Sequence, residues 1–96
     1  MFICLTTYLQ PLDRSDPVVA RHGAYLDECY NSGQLVCSGP QNSGTGGALV
    51  IRTSDADEAD TVMRNDPLVV EGCVSYQLIP FTATRAAFPT LVDERR

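Results

Sequence analysis

Ninety-six residues of ordinary composition, 44% hydrophobic and 20% charged, bound one small domain with a thin margin of stability. The net charge is −5, lysine is absent, and the seven arginines form no cluster that could track phosphates, which excludes the usual nucleic-acid surface. No apolar run approaches the ~20 residues of a membrane helix, and MFICLTTYLQPLD carries no signal-like pattern, so the reading is a cytoplasmic protein with no membrane partner.

Residues 2–8, FICLTTY, are β-branched, aromatic and apolar, which predicts a first strand. The loop QPLDRSDP follows, with Pro11 and Pro17 as breakers. Ser15 or Asp16 can cap the next helix, and Pro17 suits its first turn. That helix is predicted to run to about Asn31, with Val18, His22, Tyr25, Leu26 and Cys29 on one side and Gly33 as its stop. LVCS, 35–38, reads as a second strand ended by Gly39 and Pro40. QNSGTGG, 41–47, reads as a flexible loop, and ALVIRT, 48–53, as a third strand, completing a hairpin. Ser54 then caps a second helix, with Asp55, Asp57 and Glu58 favourably placed against its dipole. Ala56, Ala59, Val62 and Met63 form its buried stripe, and Pro67 stops it by pushing Asp66 out of helical geometry. GCVSYQLIPF, 72–81, is the last strand, and periodicity is lost in the tail from Thr82 to Arg96.

The order βαββαβ predicts an α+β, ferredoxin-like sandwich: a four-stranded antiparallel sheet with both helices on one face. The opposite face is also apolar. Ile3 and Leu5 oppose Phe2 and Cys4; Ala48 and Val50 oppose Leu49 and Ile51; Cys73, Ile79 and Phe81 oppose Val74, Tyr76 and Leu78. A bare apolar sheet face is rarely tolerated, so the expectation is a homodimer packed sheet to sheet, with the tail reaching the partner. Cys4, Cys29, Cys37 and Cys73 include no CxxC pair, sit in apolar segments, and read as reduced core residues rather than zinc ligands.

Chain reversal brings distant residues to one end of this sandwich. Thr7 and Tyr8 end the first strand, and His22 lies in the first half of the first helix. Ser38, Gly39 and Pro40 end the second strand, and Asp66 ends the second helix. A carboxylate beside the one histidine fixes its tautomer, orients the ring and stabilises its charged form, as acid–base work requires. Ser38 and the backbone N–H groups after it could hold a substrate oxygen. Arg14 and Arg21 could hold an anion. Each feature also has a plain reading: a hydrogen-bonded core histidine, an Asp-Pro turn, a Ser-Gly-Pro turn, solvated arginines, and tyrosines 25 and 30 as packing. SGTGG lacks the Lys-Ser/Thr of a phosphate loop and joins two strands instead of opening a helix.

RHGAYL (21–26), SGP (38–40), GGALVI (46–51), DP (66–67) and IPF (79–81), in this order across nearly the whole chain, resemble the YciI-like family. The resemblance implies a ferredoxin-like fold of the dimeric α+β barrel superfamily, with a His–Asp site on His22 and Asp66 and a pocket loop on Ser38–Pro40. At least one such relative is a dehydrochlorinase of a chlorinated, hydroxylated ring, and superfamily members isomerise muconolactones. The expectation is therefore a small enzyme, independent of cofactors and metals, that moves protons on a small cyclic or aromatic substrate. His22 and Asp66 would be catalytic, and Ser38, Gly39, Pro40, Tyr8 and Arg14 would bind the substrate. The alternative is a non-catalytic dimer that binds a metabolite or serves as an accessory subunit, with a structural His–Asp hydrogen bond.

Overall fold

The computed structural model describes residues 1–93. Its elements are β1 (Phe2–Tyr8), α1 (Pro17–Asn31), β2 (Leu35–Pro40), β3 (Gly47–Ile51), α2 (Ala56–Arg64), α3 (Pro67–Val70), β4 (Val74–Pro80) and a 3₁₀ turn (Pro89–Leu91). The four strands form one antiparallel sheet in the order β2-β3-β1-β4. This is the expected ferredoxin-like α+β sandwich, with one addition. The second helical segment is broken, because Asn65 caps α2 and Asp66 opens α3, its carboxylate accepting from Leu68 N at 3.0 Å. Pro67 thus ends one helix by starting another, as its fixed φ and missing N–H allow.

Asp16 caps α1 by accepting from Val18 N at 3.0 Å, and Gly33, at φ 79°, carries the chain away from the helix end. At α2 the cap is Asp55, not Ser54: its side chain accepts from Asp57 N. The core lies between sheet and helices. Phe2 and Cys4 of β1 and Leu49 and Ile51 of β3 pack against Cys29 of α1 and Ala59, Val62 and Met63 of α2. A second cluster joins Val18, Leu68, Cys73 and Val74. Cys73 precedes β4 and is buried on the helix side, so it does not share the open face with Ile79. On that open face Ile3, Leu5, Ala48 and Val50 are half-buried and Ile79 is exposed. All four cysteines are free thiols; three are buried, but Cys37 is exposed rather than a core residue.

Two local features shape the end of the sandwich where β1 finishes. First, β2 continues through Gly39 and Pro40, and its pairing with β3 slips: Leu35 faces Ile51, Cys37 faces Val50, and Ser38 faces Leu49. The extra residue, Val36, reverses the alternation, so Ser38 shares a face with buried Leu49 and the helices. Second, segment 41–47 is tied down rather than loose. Gln41 Nε2 donates to the carbonyls of Thr6 (3.1 Å) and Gly47 (3.0 Å), Gly47 N to Thr6 Oγ1 (2.8 Å), and Tyr8 N to Thr45 O (2.9 Å). Gly46 is required in this clasp, since a Cβ there would lie 1.8 Å from Thr6 O.

The described part of the tail folds back on its own chain. Asp93 N donates to Ala83 O, the Asp93 carboxylate accepts from Ala83 N, and Arg52 donates to Thr90 O. The expected tail extends to residue 96, and positions 94–96 lie outside the described residues.

Candidate active site

Between the helix face of the sheet and the first turns of α1 and α3 lies a cleft of about 600 Å³. That volume is within the range of pockets for small organic molecules. Leu12, Val19, Leu26, Leu68 and Val74 give it apolar walls, with Leu49 on the sheet side. The polar lining includes Tyr8, Arg14, His22, Ser38 and Asp66, and Gly39 and Pro40 reach the same cleft, so of the residues expected to act here only Arg21 stays outside it.

His22 and Asp66 meet although 44 positions separate them: Nδ1 of the ring lies 2.8 Å from Asp66 Oδ1. The Asp66 side chain is 3% exposed and that of His22 24%. The carboxylate also accepts the Leu68 N–H, so it is held from two sides. A carboxylate partner places the proton on Nδ1 and leaves Nε2 as the nitrogen available to a ligand in the cleft. Asp66 is thus not a residue trailing off the end of α2. It is the N-cap of α3, and capping geometry aims the same oxygen at the imidazole.

Ser38 enters the cleft through the β2 bulge, and its hydroxyl is hydrogen-bonded to the Tyr30 phenol. Tyr30 was expected only to pack; it is exposed and reaches back from the end of α1 to the site. Tyr25 has the structural role expected, half-buried with its hydroxyl donating to Val62 O at 2.7 Å. Arg21 does not face the cleft and pairs with Glu71. Sequence reasoning missed Thr6, Leu12 and Gly46 as cleft residues. The signal for Gly46 was the glycine pair at the start of β3, where the chain must pass close to β1. Beneath the site, burial and the Asp66 charge push the Cys4 thiol up to about 12, so it stays protonated and unreactive. Among the described residues no three His, Cys, Asp or Glu side chains converge as a metal set, and no helix is long and apolar enough to cross a membrane.

A ferredoxin-like α+β domain with a histidine–carboxylate pair in a helix-side cleft is the class these features define. Residues 1–82 match the YCII-related domain, and the chain belongs to that family. A curated relative, the uncharacterized protein YjpA of Bacillus subtilis (strain 168), is 39% identical over 54 residues, which is 56% of this chain and 64% of YjpA. Among solved structures, the chain is similar to 5-chloro-2-hydroxyhydroquinone dehydrochlorinase (TftG) from Burkholderia phenoliruptrix AC1100, solved with 2,5-dihydroxybenzoquinone. The TM-score is 0.57 at 19% identity, over 85% of this chain and 94% of that one, a likeness of fold.

Proposed function

We propose that this protein is a small-molecule enzyme of the lyase or isomerase type, in which His22 transfers a proton on a small cyclic or aromatic substrate. The observation that carries the reading is the buried Asp66 carboxylate 2.8 Å from His22 Nδ1 at the wall of a largely apolar cleft. Nε2 takes a proton from substrate carbon or oxygen and returns it at another position. Asp66 holds the ring and stabilises the imidazolium without taking the proton itself. Ser38 donates its hydroxyl to the developing oxyanion. Such proton transfer contributes ~10²–10⁴ in rate, and confinement in the cleft supplies the positioning. The dehydrochlorinase of similar fold acts on a hydroxylated ring, which supports rings of that kind as the first substrates to try.

The half-buried apolar row on the open sheet face suits a second copy of the chain packed against it. Free thiols suit a reducing, cytoplasmic setting. A non-catalytic binding protein is the second reading, favoured by one observation: Asp66 also caps α3, a structural duty independent of His22. The two readings separate in an NMR screen of hydroxyquinones, hydroxylated aromatics and lactones in D₂O, following deuterium incorporation, isomerisation or elimination. The enzyme reading expects turnover of at least one compound and its loss in His22→Ala. A His22→Ala chain that matches the wild-type rate, or a wild type inert toward all classes, overturns it.

A further inference from the structure

Arg14 is flanked by two acids in the order Asp13-Arg14-Ser15-Asp16, yet pairs with neither. Both carboxylates are tied to backbone. Asp13 accepts from Ser15 N (2.9 Å) and Ser15 Oγ (2.8 Å), which also holds its carboxyl below the usual range, and Asp16 accepts from Val18 N. Arg21 is engaged with Glu71, Arg64 with Asp60 and Arg52 with the Thr90 carbonyl, and Arg85 lies in the tail, away from the cleft. Arg14 instead lines the cleft, where it is the only arginine or lysine among the described residues.

From this arrangement we infer that the cleft takes a monoanionic substrate, a small ring bearing a carboxylate, with Arg14 as the anion-binding residue. The inference rests on the reading that this cleft is the active site. A guanidinium presents two parallel N–H donors that match the two oxygens of a carboxylate. A phosphate is disfavoured because the donors it would need are already used. The Val18 and Val19 N–H groups at the start of α1 go to Asp16, Gly44 N to Gln41 O, and Gly47 N to Thr6 Oγ1. With those backbone donors engaged, one cation suits one negative charge. Seated this way, the carboxylate anchors the ring while His22 and Ser38 act on another part of it.

The test is an NMR titration of the full chain, following the His22 ring, the Arg14 Nε–H and the cleft amides, with benzoate, its neutral analogue benzamide, and phenyl phosphate. Benzoate is expected to shift cleft signals and to bind roughly tenfold tighter than benzamide, with phenyl phosphate no tighter than benzoate. Arg14→Gln, an exposed loop change, should erase the benzoate preference and leave benzamide binding unaltered. Equal binding of benzoate and benzamide, a preference that survives in Arg14→Gln, tighter phenyl phosphate, or no cleft shifts with any probe would each overturn the proposal. Anion selectivity that depends on Arg14, found together with turnover that ignores His22→Ala, would sink the catalytic reading alone and leave this one standing.

Discussion

Replacing Gly46 by alanine is expected to unfasten the floor of the cleft. The new Cβ would sit 1.8 Å from Thr6 O, 2.6 Å from Thr6 C and 3.0 Å from Thr7 Cα, all backbone atoms that no rotamer change can move. Non-bonded heavy atoms prefer about 3.5 Å, so β1 and the clasp must part by more than an ångström. Overpacking of this kind costs ~1–3 kcal/mol. The displacement also strains the hydrogen bonds of Gln41 and Gly47 to Thr6, each worth ~1 kcal/mol. The sum is about 4 kcal/mol, a large share of the ~5–15 kcal/mol that holds a domain together. Urea unfolding followed by circular dichroism reads it directly, and the melting temperature should fall by on the order of 20 °C. Two controls separate this clash from glycine effects in general. Gly44→Ala, at φ 76° with open space around it, should cost only ~1–2 kcal/mol for its left-handed backbone, and Gly23→Ala, helical and unobstructed, should stabilise by ~0.5–1 kcal/mol. A Gly46→Ala protein within ~1 kcal/mol of wild type would refute the close approach of the clasp to β1.

Asp66→Ala leaves the Leu68 N–H and the His22 Nδ1–H without their acceptor, and should cost about 3 kcal/mol in denaturant unfolding; Asp66→Asn, whose amide oxygen can still cap α3, should cost clearly less while lowering any turnover. Thiol titration of the native chain with a water-soluble aromatic disulfide should modify Cys37 rapidly and Cys4, Cys29 and Cys73 only on unfolding; rapid modification of all four would contradict the core described here. Alkaline pH should weaken the fold. Burial raises the Cys4 thiol from 9.0 to about 12, burial and the bond to Asp60 raise the Tyr76 phenol from 10.0 to about 12, and Cys29 and Tyr25 move the same way. Between those values the unfolded chain has released protons that the folded one keeps, so stability is full below pH 9 and falls as pH rises toward 12. A urea midpoint that stays flat or rises across that window would contradict the burial of these groups.

Periodicity carried much of this architecture. The apolar face of α1 and the alternation in β1 are local patterns, and once the order βαββαβ is read, handedness leaves little freedom for where His22 and Asp66 end up. What escaped the reading depends on relations between segments. The β2 bulge has no signature in LVCSGP, because it is defined by the partner strand: only the Cys37–Val50 pairing shows that Ser38 faces inward. The clasp of 41–47 was hidden for the same reason, since a glycine-rich stretch looks loose until Gln41 is seen bonded to Thr6. Asp66-Pro67 was legible as a break, but the short helix after it was not, because Pro67–Val70 is too brief to show a helical period. Tyr30 was misjudged because a side chain that long reaches beyond the face to which periodicity assigns it.

The most direct probe of the active-site reading is the ¹⁵N spectrum of the His22 ring, recorded alone and with a cleft ligand. A proton held on Nδ1 by Asp66, displaced signals in Asp66→Asn, and an Nε2 resonance that moves when benzoate is added are the expected results. A neutral ring protonated at Nε2, or an Nε2 signal indifferent to every ligand that shifts the cleft amides, would contradict that reading.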